Sequence, residues 1–107
     1  MSIGRSYEVE YRLIRNLEVQ LARSGGRTTL RVSGSIMESA KMFQALRGKL
    51  ERDTIFITIL SCLPIWDRAG SPDFSVTHDL RLDPGAYRIS YLGPRRATTF
   101  IKQVELD

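Results

Sequence analysis

Apolar and polar side chains alternate with period two along most of this chain. From Phe74 to Leu82, the residues Phe74, Val76, His78, Leu80 and Leu82 share one parity, while Ser75, Thr77, Asp79 and Arg81 hold the other. That is the pattern of a half-buried strand, whose successive side chains point to opposite faces. Tyr87, Ile89 and Tyr91 repeat it, which predicts a strand over 86–92. From Tyr7 to Leu21 nearly every odd position is apolar, and the pattern predicts one long strand or two segments broken at Arg15-Asn16. Because parity survives the break, the preferred reading is a bent strand that passes from one sheet to another. Leu30 and Val32 alternate with Thr29, Arg31 and Ser33 behind a turn at Ser24-Gly25-Gly26-Arg27, which is a hairpin signal. Thr54 to Cys62 is apolar on both parities and rich in β-branched residues, so it reads as a central strand covered on both faces and ended by Pro64. A last strand over Thr98 to Leu106 follows the turn Gly93-Pro94-Arg95-Arg96, and its pattern falters at Lys102-Gln103, as a bulge would make it.

Two stretches depart from this rhythm. Ser35-Ile36-Met37-Glu38 has capping-box spacing, Ile36, Ala40 and Phe43 form a helical stripe, and Gly48 sits where a helix would stop. A short crossover helix near 36–47 is the preferred reading, with a strand from Ser39 to Arg47 as its rival. Leu63 to Asp73, with two Pro and a Gly, reads as a surface loop.

Between the strands of 74–82 and 86–92 lies Leu82-Asp83-Pro84-Gly85-Ala86-Tyr87. Pro84 presets its own φ and Gly85 can take a positive one, so the pair reads as a tight turn. With Tyr87 just inside the next strand, this stretch resembles the tyrosine corner of immunoglobulin-like and fibronectin type III-like sandwiches. The resemblance implies that the Tyr87 hydroxyl bonds to main chain a few residues upstream. The fold expected is therefore mainly β: an immunoglobulin-like antiparallel β-sandwich of six to seven strands in a single domain spanning 1–107.

Composition adds bounds rather than identity. A chain of 107 residues buries roughly 65% of its unfolded surface, enough for one core. Hydrophobic content of 42% and charged content of 26% exclude a disordered chain. The net charge of +4 is carried mostly by Arg, and acidic residues are scattered among the basic ones, as a mixed solvated surface would have them. The single Cys62 excludes an intrachain disulfide and points to a reducing, cytoplasmic setting. Met1 to Tyr7 shows no apolar signal core, and no apolar stretch nears the roughly 18 residues of a membrane span, so no membrane is expected.

Chemistry is sparse. Nucleophilic catalysis would need Cys62 beside His78, the only His, on neighbouring strands, or His78 beside a carboxylate. Set against it, Cys62 closes a core strand and His78 falls on the inward parity, where it would bond a carbonyl or Asp79. One His and one Cys cannot close a transition-metal site, and Asp67 and Asp73 lack the spacing of a calcium loop. Asp79 and Asp83 read as solvated carboxylates, and no Gly-rich loop precedes a helix. No cofactor and no metal are expected.

Binding has two candidates. Ile65, Trp66, Asp67 and Arg68 place an aromatic and a cation at the end of a rigid strand, where Trp66 either meets a partner or folds back to plug the sandwich. Arg27, Arg31, Arg95 and Arg96, with Tyr91 as an aromatic partner, form the candidate polyanion set. The function expected is a small non-catalytic binding or assembly module, which uses the 63–73 loop or an exposed sheet edge to hold a protein partner or a second copy. The alternative is a polyanion- or nucleic-acid-binding domain using the Arg surface, and a hydrolase-type enzyme around His78 ranks last.

Overall fold

The computed structural model describes residues 6–38, 41–63 and 71–107. Among them run eight strands: β1 (Tyr7–Glu8), β2 (Ile14–Ser24), β3 (Arg27–Ile36), β4 (Met42–Glu51), β5 (Thr54–Cys62), β6 (Asp73–Leu80), β7 (Gly85–Leu92) and β8 (Thr98–Leu106). One sheet has the order β2-β3-β6; the other joins β4, β5, β7 and β8 and takes β1 against β5. The sheets stack into a sandwich, with β4 meeting β6 along one open side and β8 meeting β2 along the other. Val19, Leu30, Val32, Ile36 and Phe74 from the first sheet interlock with Leu46, Ile55, Ile57, Ile59, Ile89 and Tyr91 from the second to form the core. Each set is the inward parity of its strands, and burial of those side chains selects the register, because a one-residue slip would expose them all.

The hairpin expected at Ser24-Gly25-Gly26-Arg27 is present. Ser24 lies opposite Arg27, and Gly25 and Gly26 both take left-handed φ values (58° and 78°), as a type I′ turn demands. The chain also changes sheets near its start, as preserved parity suggested. The crossing, however, falls between β1 and β2, through a single 3₁₀ turn at Tyr11–Leu13. Arg15-Asn16 instead marks a bulge: the β2–β3 register shifts between Arg15 and Glu18, and Asn16 takes φ 56°. The bulge of β8 comes one residue before the expected place, where Ile101 and Lys102 both face Ile89.

The helix expected near 36–47 is not there: Ile36 ends β3, and β4 runs from Met42 to Glu51. The rival strand reading holds over the described part, Ser39 and Ala40 lying outside it. Two observations explain the override. Ser35 Oγ donates to Asp73 Oδ1 across the β3–β6 pair at 2.6 Å instead of capping a helix, and Glu38 bonds Lys41. Leu46 and Ala45 find Ile59 and Leu60 as strand partners, so tertiary pairing outweighs a weak local preference. Gly48, taken as a helix stop, sits mid-strand opposite Ile57.

β5 is the central strand its apolar run implied, but it is not covered on both faces: Thr54, Phe56 and Leu60 on its outer side stay partly exposed, because the sandwich has no third layer there among the described residues. β4 occupies one edge along its whole length, while the other edge serves two strands end to end: β7 over Thr54–Ile57, then β1 at Leu60 and Ser61. The β5–β7 ladder is parallel, which amends the all-antiparallel expectation at this one pair. Parallel neighbours need a crossover, and here β6, placed in the opposite sheet, supplies it.

The seam where β7 stops and β1 begins is closed by side chains. Tyr91, fully buried, accepts the Ile59 N–H with its hydroxyl (3.2 Å) and donates to the Val9 carbonyl. Thr58 Oγ1 donates to the Leu92 carbonyl at 2.6 Å. Burial pushes the Tyr91 phenol up to about 12, although the Ile59 N–H pulls the other way.

At the opposite end of β7, the Tyr87 hydroxyl donates to the carbonyl of Asp83, four residues upstream, at 2.7 Å. Gly85 takes φ 150°, a conformation other residues rarely adopt. The corner residues Pro84, Gly85 and Tyr87 thus carry the chain from β6 in one sheet to β7 in the other.

Candidate functional site

The residues expected to carry function are dispersed. Ile65, Trp66, Asp67 and Arg68 lie outside the described residues. Arg27 lines a groove of about 560 Å³ at the β2–β3 hairpin tip with Arg23, Arg81, Asp79 and Asp83. Arg31 stands on the outer face of the three-stranded sheet beside Glu18 and Gln20. Arg95 and Arg96 sit in the β7–β8 turn, both with left-handed backbone (φ 59° and 60°). Their side chains part there, Arg95 lining a cleft with Tyr11 and Arg96 one with Phe56. Tyr91, the aromatic expected beside them, is in the core. Cys62 ends β5 in one sheet and His78 belongs to β6 in the other, so the two are not on neighbouring strands. His78 does face the core side, opposite Leu30, yet it is exposed because no described strand pairs with β6 on its far side. Among the described residues no group of three or more His, Cys, Asp or Glu could hold a metal ion.

The sheet edges are more informative. Five described strands have an open side: β2 and β6 in one sheet, and β4, β8 and the two-residue β1 in the other. An open edge presents unpaired N–H and C=O groups to any second strand, and proteins blunt it with bulges, charge or Pro. β1 is too short to template a ladder, and three of the other four are blunted. β2 is bulged between Arg15 and Glu18, β4 between Phe43 and Ala45, and β8 at Ile101, and each carries Arg or Lys. β4 adds the surface pair Lys49–Glu51, which holds the Glu51 carboxyl below the usual carboxylate range through its hydrogen bond and charge.

β6 is the least protected, its only formal charges being the carboxylates Asp73 and Asp79. It pairs with β3 in unbroken register from Asp73↔Ser35 to Leu80↔Thr28, and it contains no Pro, Lys or Arg. Its entry is fixed from both sides: the Ile36 N–H donates to the Pro72 carbonyl (2.9 Å) and the Phe43 N–H to the Ser71 carbonyl (3.0 Å). The Asp73 N–H donates to Ser71 Oγ, and the Phe74 ring stacks on Phe43 at 4.9 Å between centroids. Beyond that anchor, no described residue outside β3 makes a main-chain bond to Phe74–Leu80. The alternation of 74–82 announced this strand but not its position, since edge or centre is decided by pairing with distant segments.

Among the described residues no helix is long and apolar enough to cross a membrane. No family model, curated protein or solved structure matches the chain.

Proposed function

We propose that this chain is a non-catalytic assembly module that joins a second copy of itself through β6. The observation that carries the reading is the eight-residue, unbulged, cation-free edge described above. Two-fold antiparallel pairing keeps faces matched only when opposing residues share parity. A two-fold at Val76 would set Asp73 against the partner's Asp79, like charges directly opposed, which is destabilising. A two-fold at Thr77 sets Asp73 against the partner's Arg81 at both ends, Ser75 against Asp79, and Phe74 against Leu80. That register satisfies charge and apolar contact together, and it continues the three-stranded sheet into a six-stranded one.

Two finer readings belong with this proposal. The Pro84-Gly85-Tyr87 corner supports an immunoglobulin-like or fibronectin type III-like kinship, from which the parallel β5–β7 ladder is a departure. A lone, buried, free Cys62 suits a cytoplasmic setting.

Sedimentation velocity over a wide concentration range tests the pairing. Wild type should dimerise with rising concentration, and Thr77→Lys, which puts two cations face to face at the two-fold, should stay monomeric. Arg81→Asp should weaken the dimer about tenfold, and adding Asp73→Arg should restore it. A wild type that stays monomeric at every concentration, or a dimer indifferent to Thr77→Lys, would sink the proposal.

A further inference from the structure

The outer face of the five-stranded sheet differs from an ordinary solvated face. The registers place Lys49, Phe56, Ser90 and Phe100 in one row across β4, β5, β7 and β8, all on the side away from the core. Phe100 is 51% exposed. The neighbouring row is Glu51, Thr54, Arg88 and Gln103, and the Arg88 guanidinium lies over the Phe100 ring, 4.8 Å from its centroid. On the other flank, Phe56, Leu92, Thr98, Lys49, Glu51 and Arg96 line a groove of about 380 Å³. Three cations, Lys49, Arg88 and Arg96, therefore stand beside two phenyl rings. Lys49 is engaged by Glu51, whereas Arg88 and Arg96 have no carboxylate partner among the described residues. The turn that carries Arg96 holds two consecutive arginines in left-handed backbone, a strained conformation for side-chain-bearing residues.

Flat rings two strand spacings apart, about 10 Å, with unpaired guanidinium groups beside them, match one chemistry well. Bases of an unpaired strand stack on exposed aromatic rings and on guanidinium planes, while phosphates take the free cations. We propose that this face binds single-stranded nucleic acid, with Phe100 and Phe56 as the stacking platform and Arg88 and Arg96 as phosphate contacts. The site is independent of the β6 edge, which belongs to the other sheet. Only Arg96 is shared with the basic set suggested by sequence, and the aromatic partners are Phe56 and Phe100 rather than Tyr91.

Fluorescence anisotropy with a labelled oligothymidylate of about twelve nucleotides, and with the matching oligouridylate, tests the proposal. Both should bind at low salt. Phe100→Ala should weaken binding about fivefold or more while lowering the melting temperature by only a few degrees, since the ring is half exposed. Arg88→Gln and Arg96→Gln should each lower the slope of log K against log salt by about 0.7, and Arg31→Gln on the opposite sheet should leave it intact. Absence of binding at low salt, or binding indifferent to Phe100→Ala, overturns the assignment. So does a polyglutamate peptide that binds as tightly through the same residues, which would make the face an acidic-peptide site.

Discussion

Two phenols on one strand secure two regions of this sandwich in different ways. At the start of β7, Tyr87 bonds the carbonyl of Asp83 in a partly exposed corner, closing a loop of a few residues. Near the end of the same strand, Tyr91 is fully buried and bonds main chain of both β5 and the segment after β1, groups 32 and 82 residues away in sequence. The corner fixes how the chain turns between sheets. The seam fixes which strands share an edge of β5, and without it two buried main-chain groups lose their partner. A hydroxyl is worth most where water cannot replace it, so the two residues should differ in energy although they look alike in sequence.

Tyr91→Phe should break the comparison at its strongest point. The ring still fills its place, while the Ile59 N–H and the Val9 carbonyl are left unsatisfied in the core. The expected loss is about 2–4 kcal/mol in urea unfolding, with an unchanged m-value. A loss near zero would mean that β1 and β7 are held on β5 by their own ladders and that the phenol is incidental.

Alkaline pH sharpens the same contrast. The Tyr91 phenol is raised from 10.0 to about 12 in the fold, chiefly by burial. Below pH 10 both folded and unfolded chains keep the proton, and the full stability is present. Between pH 10 and about 12 the unfolded chain ionises while the fold resists, so stability falls with rising pH and the contribution is lost above that window. Other tyrosines and lysines titrate there too, so the measurement is the difference between wild type and Tyr91→Phe, whose stability should decline less steeply from pH 10 to 12. Parallel declines would show that Tyr91 ionises as readily in the fold as in the open chain.

What the sequence made legible follows the same division between local and distant. The Gly25-Gly26 hairpin, the strand at β5, the bulge in β8 and the Tyr87 bond all depend on a few neighbouring residues. The segment 36–47 misled because capping-box spacing is also local: Ser35 and Glu38 had helix-like spacing, but Asp73 and Lys41 claimed them. Distant pairing left little trace. Alternation cannot say that β6 is an edge, that β7 runs parallel to β5, or that Tyr91 rather than Ile89 meets a polar main-chain group. The outer aromatic row was hidden for a related reason. Phe56 sits in a run apolar on both parities, and Phe100 adjoins Ile101, so neither stands out as facing solvent. Two adjacent apolar residues in β8 did hold the signal, since at most one of them can face the core of a regular strand. The four arginines chosen for their charge dispersed because residue type alone carries no information about face.

Tyr87→Phe should have the smallest effect. The bond it removes lies in a partly exposed corner, and the Asp83 carbonyl it frees can turn to water, so the loss should be about 1 kcal/mol or less. The turn retains Pro84, which restricts the chain, and Gly85, which takes its positive φ without strain, so it forms without the phenol. Urea midpoints for Tyr87→Phe, Tyr91→Phe and the double variant measure the comparison directly. The two residues stand at opposite ends of β7 and share no partner, so their losses should add to within about 0.5 kcal/mol. A Tyr87→Phe loss equal to that of Tyr91→Phe would mean that the turn between sheets, rather than the shared edge of β5, is the point at which this fold is most easily undone.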